Sequence, residues 1–113
     1  MMEATLPKKA YIKKVASIAL GAINGVLAQW LPGGKKEGPE YVVRNPTRAD
    51  KDAGSFKINL NIGEWQDFAI GDRGKDLVSL VAYLESYQGD GAQYAAAKKL
   101  GEFLNIPLGV CRT

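Results

Sequence analysis

Six cations and one tryptophan carry the chemistry most available to this chain. Lys35, Lys36, Arg44, Arg48, Lys57 and Arg73 fall in its strand-and-loop half, with Trp65 among them. Aromatic rings set among cations bind single-stranded nucleic acid, because the cations neutralise phosphates while a ring stacks on any base. The competing reading is a solvated basic face with Trp65 buried. Glu37, Glu40, Glu64, Asp50 and Asp52 dilute the same region. The net charge of +3 and pI of about 9.0 are only mildly basic, so composition alone favours the solvated face.

Other chemistries are excluded more firmly. The chain has no histidine and a single cysteine, Cys111, so neither a disulfide framework nor a four-ligand zinc site is available. "AIGDRGKD" has the look of a phosphate-binding loop. Ala69 stands where that pattern needs its first glycine, and Asp76 where it needs Ser or Thr. Asp76 reads instead as a helix cap. Asp50 with Asp52, and Asp67 with Asp72, lack the partners and spacing of a hydrolase pair and read as solvated charge. No catalytic residue, cofactor or metal is expected. The lysine-flanked run "VASIALGAINGVLA" resembles a secretory leader, but Asn24, Gln29, Gly21 and Gly25 interrupt it. It also falls short of the roughly 20 apolar residues a membrane span requires. A cytoplasmic protein with no membrane partner is expected.

The elements that must position these residues follow from periodicity. At 113 residues the chain makes one domain, 1–113, with 1–7 and 107–113 as flexible tails. Apolar residues from Ile12 to Trp30 recur every three or four positions, predicting one helix over about Lys8–Leu31. "KKEGPE" reads as a turn and Tyr41–Asn45 as a strand. In "SFKINLN", Phe56, Ile58 and Leu60 alternate with Lys57, Asn59 and Asn61. "NIG" turns the chain, with Gly63 at positive φ, into a return strand "EWQDFA". Taking Phe68 as core leaves Trp65 facing outward beside Lys57. A second helix starts behind Asp76 and runs to about Tyr87. A third covers Gly91–Leu104, with Asp90 and Gln93 at capping-box spacing. The expected class is α+β: a small three-stranded antiparallel sheet packed with an N-terminal helix and two C-terminal helices.

The order of pieces from about Ile23 to Ile106, roughly three quarters of the chain, resembles the N-terminal zinc-ribbon domain of bacterial and phage DNA primases. "WLPGGKKEGPEYVV" matches that family's opening helix and basic glycine-rich turn. "NPTR" and "GSF" stand in its Cys-Pro-x-His and Ser-Phe places. "GEWQDFAIGDRGKDLVSLVAYL" has the shape of its hairpin, Gly-Gly-Asp turn and helix, and "YAAAKKLGEFLNI" echoes its last helix. The four zinc-ligand places correspond to Asn45, Arg48, Asp67 and Ile70, and the register after Asp67 differs by about one residue. Arginine and isoleucine do not ligate zinc, so the resemblance implies a zinc ribbon without zinc, with packing in place of metal-binding energy. It sets Arg48 beside Asp67, a cation where the metal was. The function it implies is a non-catalytic module of a phage or mobile-element replication system. Such a module binds single-stranded DNA, a primase or helicase partner, or both. The alternative is a protein-interaction adaptor docking through the Gly21/Gly25 helix face, or a regulator or inhibitor, with no direct nucleic-acid binding.

Overall fold

The computed structural model describes residues 4–5, 7–47, 56–106 and 110–111. Its elements run β1 (Ala4–Thr5), α1 (Lys8–Gly21), α2 (Ile23–Trp30), β2 (Lys35–Glu37), β3 (Glu40–Val43), β4 (Phe56–Asn59), β5 (Trp65–Asp67), β6 (Arg73–Gly74), α3 (Leu77–Leu84), α4 (Ala92–Leu104) and β7 (Val110–Cys111). The class is α+β. The sheet has five strands rather than three, in the order β2-β3-β4-β5-β6 with every neighbouring pair antiparallel. A separate two-stranded pairing joins β1 to β7.

The added strands come from "KKEGPE", which reads as a turn, and from the loop "AIGDRGKD". Gly38, at φ 61°, reverses the chain so tightly that Glu37 pairs with Glu40 and the lysines before it become a strand. After β5 the turn is closed by the Asp67 backbone. Gly71 N–H donates to Asp67 O at 2.7 Å, and Asp67 N–H donates to Asp72 O at 2.7 Å. Arg73 is thereby delivered opposite Gln66.

The single N-terminal helix is two, meeting at 95° around Ala22. Gly21 and Gly25 flank the break and weaken the helix there. A straight continuation would carry the eight residues of α2 about 12 Å further along the α1 axis. The bend instead brings Ile23, Val26 and Leu27 into the same core as Tyr11, Val15 and Ala19. Among the described residues no single helix is long and apolar enough to cross a membrane.

Helix α3 starts as its sequence predicts. Asp76 Oδ1 accepts from Ser79 N–H at 2.8 Å, and Ser79 Oγ accepts in return from Asp76 N–H. It stops at Leu84, three residues short of the predicted end, where Ser86 turns to φ 61° and Tyr87 N–H closes back on Ala82 O. Helix α4 has no side-chain cap, so the Asp90/Gln93 box does not form; it ends at Asn105 in the left-handed region. These helices and one side of the sheet share a core whose centre is aromatic. Trp65 lies 5.9 Å from Phe56 and 4.7 Å from Tyr83, centroid to centroid.

That core overturns the expected orientation of the β5 side chains. Trp65 is 5% exposed and Phe68 is 59% exposed, the reverse of the sequence reading. Two features hold Trp65 inside. A Cβ at Gly74 would come within 2.5 Å of its indole, so only glycine lets β6 pass beneath it. Its Nε1–H donates to Ser79 Oγ at 3.0 Å, which satisfies the buried donor. Leu60 and Tyr41 pack more loosely at the margin of the core.

Candidate nucleic-acid interface

Register across the sheet decides which side chains share its outer face, since directly paired residues point to the same side. One row crosses all five strands: Lys35, Val42, Lys57, Gln66 and Arg73. Three of its five members are cations, and none of the three sits on a strand adjacent to another. Val42 is 6% exposed yet lies outside the core cluster. Its row partners are Lys35 and Lys57, whose aliphatic stems can cover an apolar residue while their ammonium groups stay in water. A second row, Glu37, Glu40 and Asn59, runs parallel to the first, and Glu64 continues it beyond β5.

Phe68 stands on the other flank of the cationic row. Lys57 Nζ lies 5.7 Å from its ring centroid, close enough for a cation–π contact. Phe68, Lys57, Gln66, Arg73 and Lys75 line a shallow cleft of about 450 Å³ that Glu40 and Glu64 close on the opposite side. Lys57 also approaches Glu40 at 4.0 Å, with both side chains about one third exposed. A pair so solvated holds Lys57 weakly and leaves it able to meet a ligand.

The exposed ring is held by a buried device. Asn45 and Asp67 are both fully buried, and Asn45 Nδ2 donates to Asp67 Oδ2 at 2.8 Å. Asp67 Oδ1 accepts from Ala69 N–H at 2.9 Å, inside the turn that presents Phe68. Asn45 Nδ2 also donates to Tyr83 Oη at 2.9 Å, and Tyr83 donates onward to Asp72 Oδ2 at 2.8 Å. Both ends of the Phe68–Asp72 turn are thus tied to the same network. Among the described residues no group of three His, Cys, Asp or Glu side chains converges on a metal-sized site.

The predicted residues separate into three groups. Lys35, Lys57 and Arg73 share the outer row. Lys36 pairs with Tyr41, whose own partners are Ile58 and then Trp65, so it belongs to the opposite side of the sheet. Arg44 lines a different cleft, with Trp30, Pro32 and Pro46. Trp65 borders the same cleft as Phe68 but is 5% exposed and packed in the core, so its ring is not presented for stacking as Phe68 is. Arg48, with its suggested pairing to Asp67, lies outside the described residues, as do Asp50 and Asp52. Of the four places aligned with zinc ligands, Asn45 and Asp67 touch directly, and Ile70 is 49% exposed on the turn. Sequence reasoning missed Phe68 and Lys75. The signal that would have found Phe68 is the hairpin length: four residues, 60–63, separate Asn59 from Glu64, which pairs Ile58 with Trp65 and sends Phe68 outward. No family model, curated protein or solved structure matches this chain.

Proposed function

We propose that this protein is a non-catalytic nucleic-acid-binding module of a DNA-replication system. It binds single-stranded DNA across the outer face of its sheet. The observation that carries this reading is the row Lys35, Lys57 and Arg73 in register across five strands, with exposed Phe68 beside it. The row supplies phosphate contacts on alternate strands, and Phe68 takes the stacking role that the sequence assigned to Trp65. Asn45 and Asp67, which the sequence resemblance aligns with two zinc-ligand places of primase zinc ribbons, bond to each other, and this supports the reading of a metal-free relative of that domain. A primase or helicase is the matching protein partner.

One observation favours the adaptor reading instead. The expected Gly21/Gly25 helix face is split by the 95° bend, but a Cβ at either glycine would meet nothing within 4 Å, so the outside of that bend is open, and Ile18 on α1 is 41% exposed. Fluorescence-anisotropy titration of a short oligothymidine separates the two. Wild type binds at low salt, and Phe68→Ala weakens binding about five-fold or more, the loss of one stacked base at about 1–3 kcal/mol. No binding by wild type removes the nucleic-acid reading and leaves the adaptor, whereas equal binding by Phe68→Ala removes Phe68 from the interface.

A further inference from the structure

The outer face is divided, and the division bears on which form of nucleic acid fits it. Glu37, Glu40 and Glu64 are exposed or half-exposed. They stand two residues along their strands from the cationic row, a separation of about 7 Å. A ligand with one phosphate backbone can lie along Lys35, Lys57 and Arg73 and turn its bases toward Phe68, away from the carboxylates. A duplex cannot separate its two backbones so freely. They flank a minor groove about 6 Å wide between their phosphate surfaces, so a second backbone set one groove from the cationic row passes just outside the glutamates, within reach of their carboxylates. Moving the duplex the other way brings it against Phe68 and the exposed turn from Phe68 to Asp72, which the Asp67 hydrogen bonds hold in place.

We infer that the row formed by Glu37, Glu40 and Glu64 is a specificity element that disfavours double-stranded nucleic acid, by placing carboxylates beside the path of a second phosphate backbone. This deepens the single-strand reading above and rests on it. Discrimination by repulsion is a general route to specificity, since like charges brought together penalise the wrong ligand more than the right one. Glu40 differs from the other two because it also contacts Lys57, and its removal changes the cationic row as well. Glu37 and Glu64 isolate the effect.

The test compares wild type with Glu37→Gln/Glu64→Gln, titrating a labelled oligothymidine and a labelled blunt duplex of equal length at one low salt concentration. Both substitutions are on exposed side chains, and an unchanged thermal melt confirms the fold. The expected result is a rise in duplex affinity of about ten-fold or more, with the single strand changing about three-fold or less. Equal gains for both ligands, or an unchanged ratio, overturn the inference and leave single-strand binding standing. Wild type that binds duplex as tightly as single strand does the same. Failure of wild type to bind either ligand overturns the inference and the binding reading together.

Discussion

The two sides of this sheet use the same strands for opposite ends. On the inner side, Val43, Phe56, Ile58 and Trp65 are sealed, and Asp67, the one carboxylate buried among the described residues, has hydrogen-bond partners in Asn45 and Ala69. On the outer side, charges alternate by row and the largest apolar group, Phe68, is left in water. Burial makes the inner side a matter of stability. Solvation makes the outer side a matter of long-range charge, which contributes little to folding. Asp67 belongs to both, because its buried carboxylate fixes the turn that displays Phe68.

Substitutions on one side should therefore leave the other side's property alone, except at Asp67. The largest effect belongs to Trp65→Ala, which removes the centre of the aromatic cluster and strands the Ser79 contact. It should cost about 3–5 kcal/mol in urea unfolding, whereas a Trp65 acting as a solvent-facing platform would cost almost nothing. Asp67→Ala should cost about 2–3 kcal/mol, the usual penalty for breaking a buried hydrogen bond to a charged group. It should also weaken oligothymidine binding, since the Phe68 turn loses its anchor. Loss of stability with full binding would show that the two sides are independent. Phe68→Ala should change stability by less than about 0.5 kcal/mol.

The smallest effect is a pH dependence confined to the helical core. Burial pushes the Tyr11 hydroxyl above its ordinary pKa of 10.0, with Tyr94 and Glu102 adding to the shift. The unfolded chain ionises first, so the stability this group confers is complete below about pH 10 and is lost as pH rises through the folded value. Tyr11→Phe should flatten that alkaline decline in a pH series of thermal melts.

Much of this arrangement is legible in local sequence. Asp76 followed by Ser79 sets a helix start, Gly63 takes positive φ (81°) after β4, and Phe56 and Ile58 alternate into the core. What failed was register. Taking "NIG" as the turn, rather than residues 60–63, shifts the hairpin by one position, and with a side-chain period of two that exchanges the faces of Trp65 and Phe68. The misreading was reinforced by Asp67, a charged residue expected in solvent. Its burial depends on Asn45, 22 positions away in the chain, and no local pattern announces such a partner. The two short strands were hidden for a related reason. Lys35–Glu37 and Arg73–Gly74 have no apolar alternation and become strands only because neighbours pair with them. The α1–α2 bend likewise serves long-range packing, and a helical stripe reads the same whether or not it is broken at Ala22.

The most direct test of the outer face is the salt dependence of oligothymidine binding for wild type and for Lys57→Ala/Arg73→Ala. Each phosphate contact on a single strand contributes about 0.7 to the slope of log K against log salt. If the cationic row carries the backbone, the double variant keeps the wild-type fold and its slope falls by about 1.4. A wild-type protein that does not bind, or a double variant with the wild-type slope and affinity, would contradict the account.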